Sequence, residues 1–133
     1  MQFKQDSSSD NDKMTTKLVG RWGEELAARY YRKHGWKILA MGYHCRFGEI
    51  DVIAEKKGLV AFVEVKLRRD DRFASAADQV NGPKQRRLRA TAELWMSQYG
   101  EGRNARFDVV EVYAKDGLNT KRPEVHVIED AFE

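Results

Sequence analysis

Two short segments of the chain, GEIDVIAE and LVAFVEVK, carry four charged residues that could act together chemically. The intervening sequence, KKG at residues 56–58, predicts a tight turn because glycine adopts positive φ at little cost. A symmetric turn there places Asp51 opposite Glu64, and Glu49 opposite Lys66. Because side chains alternate along a strand, all four would then share one face of the hairpin.

Carboxylates that face each other across a hairpin repel, by about 3 kcal/mol at roughly 5 Å with an effective dielectric near 20. A bound cation would remove this cost, and oxygen ligands suit Mg²⁺ or Mn²⁺, whereas no Cys or His spacing typical of zinc is present. Such a cation lowers the pKa of a bound water and stabilises charge on a phosphodiester, while a lysine such as Lys66 orients the nucleophile or neutralises developing charge. Alternatively, Glu64 and Lys66 form only an exposed ion pair.

The other hairpin residues predict burial around this cluster. Ile53 and Phe62 continue the charged face with apolar side chains. The opposite face carries apolar residues alone, which predicts a core surface covered by a helix: Ile50, Val52, Ala54, Ala61, Val63 and Val65. A carboxylate cluster at the end of a sheet buried on both sides favours a functional site over a solvated surface.

Hydrophobic periodicity and turn signals predict the elements around the hairpin. Helices are predicted from Gly20 to His34 and from the cap Asn81-Gly82-Pro83 to Gly100. Strands are predicted at Trp36–Cys45, Gly48–Glu55, Leu59–Lys66, Arg106–Tyr113 and Glu124–Ile128. The order α-β-β-β-α-β-β predicts an α/β fold with one mixed central sheet of about five strands flanked by helices.

Length and composition predict one soluble domain. The 133 residues are 41% hydrophobic and 34% charged, and the longest apolar run, Leu59 to Val63, is too short to span a bilayer, so no membrane partner is expected. Residues 1–15 are polar, lack the pattern of a secretory signal and are predicted to be a disordered tail, with residues 16–133 forming a single domain. The single cysteine, Cys45, fits a reducing compartment, so a cytoplasmic location is expected.

Basic residues concentrate on both sides of the proposed site. The formal charge is +3 and the pI about 9.0, values compatible with a nucleic-acid partner. One run follows the hairpin and another opens the second helix: Lys66, Arg68, Arg69 and Arg72, then Lys84, Arg86, Arg87 and Arg89. Either run alone could be a solvated face, whereas two runs around one carboxylate cluster favour salt-sensitive contacts with a phosphate backbone. DNA is the expected partner, with RNA left open.

The hairpin residues Gly48-Glu49-Ile50-Asp51 and Phe62-Val63-Glu64-Val65-Lys66 resemble the PD-(D/E)xK signature of the restriction-endonuclease-like superfamily, a fold also used by archaeal Holliday-junction resolvases. More narrowly, the chain is similar to the YraN-like family of uncharacterised bacterial proteins, through the motifs GRWGE, KQRRL and RFDVV as well as the hairpin. The resemblance implies a restriction-endonuclease-like fold and a Mg²⁺-dependent endonuclease acting on DNA, with branched or damaged DNA and a homodimer among the expectations. The chain departs from the pattern at Ile50, where proline is usual, and at Leu67, where relatives often have a small polar residue.

The resemblance also implies roles for individual residues. Asp51, Glu64 and Lys66 correspond to the catalytic core, and a glutamate of the first helix completes the metal ligands with Asp51 and Glu64. Helical geometry favours Glu24, which lies beside the apolar stripe where a lone carboxylate is costly, over Glu25, which lies among arginines.

Two further residues have open roles. Glu49 is either a metal ligand or the ion-pair partner of Lys66. Gln79 resembles the supporting glutamine of some superfamily members, and it could equally be a polar loop residue. Three functions follow from these patterns: a metal-dependent endonuclease, a non-catalytic nucleic-acid-binding protein, or an adaptor whose carboxylates serve only folding.

Overall fold

The computed structural model describes residues 2–69 and 80–132, and for residues 2–16 it describes only the backbone. The elements are α1 (Gln2–Lys33), β1 (Lys37–Cys45), β2 (Gly48–Lys56), β3 (Leu59–Arg68), α2 (Gly82–Tyr99), β4 (Asn104–Tyr113) and β5 (Glu124–Phe132), with a 3-10 turn at Gly117–Asn119. The predicted order of elements and the α/β class are confirmed.

The five strands form one mixed sheet in the order β1-β2-β3-β4-β5. Only the β3–β4 pair is parallel, and a parallel pair needs a crossover, which α2 supplies. The helices cover opposite faces: α2 packs Leu88 and Trp95 against Ile53, while α1 packs Tyr31 against Val52. Adjacent residues of β2 thus enter two different cores, so both faces of the sheet are covered.

The predicted register of the central hairpin is confirmed from its turn up to the pair Val52 and Val63. Lys57 and Gly58 both have positive φ, 51° and 79°, which is the backbone of the two-residue turn that matches strand twist. The regular strand pairing does not extend to the predicted pairs of Asp51 with Glu64 and Glu49 with Lys66. Here the backbone N–H of Val65 instead donates to Oδ2 of Asp51 at 2.7 Å. The Asp51 side chain therefore bridges the two strands at the end that carries the charged cluster.

One predicted face assignment is wrong. Ile50 was expected to share one helix-covered face with Val52, but it packs in the α2-side core with Ile53. The reason is the close packing of Gly48, at the start of β2, against α2. A Cβ atom added to this glycine would lie only 3.3 Å from Oγ1 of Thr91 on that helix. This end of β2 is drawn towards α2, which interrupts the simple alternation.

The ends of the helices differ in how well the sequence predicts them. α2 begins as predicted: the side chain of Asn81 accepts a hydrogen bond from the Lys84 N–H at 3.1 Å, and proline occupies the first turn. α1 has a helical backbone from Gln2, through the segment where the sequence predicts a disordered tail. Residues 2–19 contain neither glycine nor proline, the two residues that disfavour a helix most strongly. Among the described residues, neither helix combines the length and apolarity needed to cross a membrane.

Candidate metal and catalytic site

Three carboxylates converge where α1 crosses the start of β2. Glu24, Glu49 and Asp51 each bring an oxygen to within 4.8 Å of the others. Glu24 and Asp51 also share a hydrogen bond, whereas Glu25, the next residue of the helix, is exposed. The structure thus brings together the predicted Glu24 and Asp51 with Glu49, whose role the sequence left open.

Burial raises the pKa of two acids of this cluster, Asp51 and Glu24. Burial, and then the charge of Glu64, raise the pKa of Asp51 to about 8, although the Val65 N–H opposes the shift. Burial also raises the pKa of Glu24, and the charge of Glu49 adds to the effect. A divalent cation would remove both the repulsion and the desolvation cost. Three hard oxygen donors in this arrangement therefore fit Mg²⁺ or Mn²⁺.

Glu64 has different partners from the other three acids. It is 8% exposed, and its Oε1 lies 2.5 Å from Nζ of Lys84 and 3.3 Å from Nζ of Lys66. Burial lowers the pKa of Lys66, and the neighbouring Lys84 ammonium lowers it further. The pKa of Lys84 is raised despite its burial, because Glu64 accepts its hydrogen bond. Glu64 and Lys66 are paired, but Glu64 is buried, so the alternative of an exposed ion pair is wrong. Lys84 is a third member that the sequence did not assign to the pair.

A cavity of about 170 Å³ joins the two groups. It is lined by Gly48, Glu49, Asp51, Glu64, Lys84, Arg87 and Leu88. A water molecule occupies about 30 Å³ in the liquid, so the cavity has room for several waters or for a phosphate group. Its walls place carboxylates of the sheet opposite cations from the first turns of α2.

The remaining predicted site residues have several environments. Arg86 and Arg87 of α2 and Arg69 after β3 are exposed, as phosphate contacts require. The side chain of Arg68 is instead 8% exposed, and its Nε lies 3.8 Å from Oε2 of Glu111 on β4. Because Glu111 draws Arg68 inward, this arginine is less accessible to a phosphate than the sequence suggests. Arg72 and Gln79 lie outside the described residues.

Like Glu111, Asp108 on β4 is a buried acid that sequence reasoning missed. It is 0% exposed and accepts hydrogen bonds from Tyr31 Oη at 2.6 Å, Arg106 Nε at 2.8 Å and the Asp130 N–H at 3.0 Å. These contacts tie α1, β4 and β5 together, which is a structural role. The available signal was a lone acid between apolar residues in RFDVV, although its partners are far away in sequence.

Comparisons with known proteins agree with the predicted family. The model of the uncharacterised protein family UPF0102 matches residues 23–112, a span that contains all four acids of the site. A UPF0102 protein of Caldicellulosiruptor bescii is 40% identical over 121 residues, covering 90% of this chain and all of the relative. UPF0102 proteins of Syntrophomonas wolfei and Nocardia farcinica are 43% and 45% identical over 100 residues, covering 74% of this chain and 87% and 79% of those proteins. The chain therefore belongs to the UPF0102 family of uncharacterised proteins, which confirms the YraN-like resemblance.

Proposed function

We propose that this protein is a metal-dependent endonuclease that hydrolyses DNA phosphodiester bonds, in line with its resemblance to the restriction-endonuclease-like superfamily. The observation that carries the proposal is the convergence of the Glu24, Glu49 and Asp51 carboxylates within 4.8 Å of one another, beside a cavity that also contains Glu64. Glu49 is exposed, but Glu24 and Asp51 are half-buried, and folding alone gives no reason to bring their like charges together, whereas cation binding does.

Asp51 is the central ligand of the proposed site, since it touches Glu24 and shares the cavity with Glu49 and Glu64. When bound, Mg²⁺ would neutralise charge on the scissile phosphate and acidify the attacking water. Either Glu49 or Glu64 would be a further ligand of the ion. Glu64 differs from Glu49 because two ammonium groups, those of Lys66 and Lys84, contact it. Comparing Mn²⁺ affinity in Glu49→Gln and Glu64→Gln assigns the ligand.

The two lysines have a proposed role in the reaction itself. Lys66 and Lys84 both reach Oε1 of Glu64, so they border the place where a phosphate would bind. Positive charge fixed there stabilises the additional negative charge that develops on the phosphate as water attacks. In this proposal the Lys66 ammonium, whose pKa is lowered by burial and by Lys84, orients that water.

One observation favours a second function, nucleic-acid binding without hydrolysis. Glu64 already has two cationic partners, which would compete with a metal ion for the same oxygen. A cluster neutralised in this way could serve folding, while exposed Arg69, Arg86 and Arg87 still bind a phosphate backbone. This alternative predicts salt-dependent DNA binding that survives Asp51→Asn.

Incubation with single-stranded, nicked and branched DNA in Mg²⁺ or Mn²⁺ separates the two functions. The nuclease proposal predicts cleavage that is lost in Asp51→Asn and Glu64→Gln but kept in Glu25→Gln, a matched change of an exposed acid on α1. Cleavage that persists in Asp51→Asn would remove the cluster from the mechanism. Binding without cleavage in the native protein would favour the alternative.

The proposal extends to partners and location. DNA in the cytoplasm is the proposed substrate, with RNA as a second nucleic acid to test. A homodimer is proposed because cutting two strands of a branched molecule calls for two active sites, and symmetric pairs supply them. Light scattering of the protein with and without branched DNA measures that assembly.

A further inference from the structure

The turn between β1 and β2 exposes an aromatic ring beside the carboxylate cluster. Phe47 is 37% exposed and lies two residues before Glu49. The guanidinium of Arg46 lies over the Phe47 ring, 4.7 Å from its centroid. Part of the Phe47 ring is therefore accessible to solvent beside a guanidinium plane.

The turn that presents Phe47 is held firmly in place. The Phe47 N–H donates to Sγ of Cys45 at 3.4 Å. Gly48 follows with φ of 155°, a conformation that side chains rarely adopt, and an added Cβ would lie 3.6 Å from Cβ of Arg87. Close packing of this glycine against α2 fixes the position of the ring relative to the site.

Phe47 also borders a second cavity, next to the one that holds the carboxylates. This cavity is about 290 Å³ and is lined by Phe47, Pro83, Arg86, Arg87 and Ala90. Arg87 lines both cavities, so they meet at that side chain. The second cavity therefore combines an aromatic surface with two exposed arginines, directly beside the place proposed for the scissile phosphate.

We propose that Phe47 and Arg46 form a stacking surface for an unpaired nucleobase, while Arg86 and Arg87 contact the phosphates of the same strand. Aromatic rings and guanidinium planes stack on any base, and arginines pair with phosphates, so this combination suits a single strand. Bases inside a duplex are already stacked on their neighbours and cannot reach the ring. The ligand class is thus a nucleic acid with unpaired nucleotides, and DNA is the one that the proposed nuclease would cut.

The placement of this base beside a scissile phosphate rests on the proposed nuclease function, but base stacking itself does not need metal or cleavage. The two can be tested apart by measuring binding in EDTA. The probe is a short single-stranded DNA oligonucleotide that contains one 2-aminopurine, placed at a different position in each oligonucleotide of a series. Binding of this probe is compared with binding of the paired duplex and of RNA of the same sequence. Fluorescence anisotropy gives affinity, and 2-aminopurine emission reports stacking.

We expect Phe47→Ala to bind the single strand at least about fivefold more weakly, because one base–aromatic stack is lost. The position-specific change in 2-aminopurine emission should disappear in Phe47→Ala and persist in Phe47→Trp. Duplex affinity should not change. Tyr99→Ala is the matched control, because Tyr99 is a 60% exposed aromatic at the far end of α2 and its loss should leave single-strand affinity unchanged.

Equal single-strand affinity in Phe47→Ala and the native protein would overturn the proposal. Absence of single-strand binding at low salt would overturn it as well. Phe47-dependent binding by a protein that cuts no DNA would keep the stacking surface and refute the nuclease. Metal-dependent cleavage of unpaired DNA that is unaffected by Phe47→Ala would keep the nuclease and refute the stacking surface.

Discussion

Binding of a divalent cation at the carboxylate cluster should release close to one proton at neutral pH. The Asp51 carboxyl is the source, because burial and the charge of Glu64 raise its pKa to about 8. An acid with that pKa is about 90% protonated at pH 7 and about 10% at pH 9, so binding should release about 0.9 and about 0.1 proton respectively. Apparent affinity for Mn²⁺ should therefore rise about tenfold from pH 6 to pH 7 and level off above pH 8.

Calorimetric titration with Mn²⁺ measures this proton directly. At one pH, the slope of the observed enthalpy against the protonation enthalpy of several buffers is the number of protons released. Glu25→Gln should match the native protein, since that acid is exposed on the same helix, and Asp51→Asn should lose both affinity and proton release. Saturable Mn²⁺ binding with no proton released at pH 7 would mean that Asp51 is already ionised before the cation binds. That result would refute the assignment of a raised pKa to Asp51 and of the released proton to its carboxyl group.

Three further predictions concern the metal-free fold. Its free energy of unfolding should fall as pH rises from about 4 to about 8, by at most about 1.4 kcal/mol per pH unit from Asp51, and Asp51→Asn should flatten this fall in urea titrations. Stability falls with pH because Asp51 ionises near its ordinary pKa of 3.8 in the unfolded chain but stays protonated up to about pH 8 in the folded protein. A free energy of unfolding that rises over this pH range would contradict the prediction. Arg106→Met should destabilise by about 3–5 kcal/mol in urea, because it leaves Asp108 buried without its cation, and a loss below about 1 kcal/mol would argue against that ion pair. Gly48→Ala should lower the free energy of unfolding by about 1–3 kcal/mol, because Gly48 has a positive φ that alanine rarely adopts. Gly20→Ala is the control and should raise the free energy of unfolding by about 0.5–1 kcal/mol, because Gly20 is helical and has open space around it. Equal effects of the two substitutions would show that Gly48 is not constrained.

The hairpin could be predicted from the sequence because its determinants are local. A glycine-containing turn of two residues and alternating apolar side chains fix the register, and the pairing of Val52 with Val63 confirms it. The choice of Glu24 over Glu25 was equally accessible, because the 3.6-residue period alone separates the core side of a helix from its solvent side.

The contacts that could not be predicted depend on elements far apart in the sequence. The pairing of Lys84 with Glu64 depends on how α2 lies on the sheet, and no periodicity encodes that distance. The packing of Ile50 in the α2-side core likewise depends on how closely the start of β2 approaches α2. The hydrogen-bond partners of Asp108 include Tyr31 on α1 and Asp130 on β5. They could be identified only once the packing of α1, β4 and β5 was known.

The most direct test of a cation site built on Asp51 is a crystal structure of the protein soaked in Mn²⁺, with anomalous scattering used to locate the metal. We predict one strong peak within about 2.3 Å of a carboxylate oxygen of Asp51 and of at least one of Glu24, Glu49 and Glu64. An ordered cluster without a peak at saturating Mn²⁺, or a peak that leaves Asp51 uncoordinated, would contradict the account.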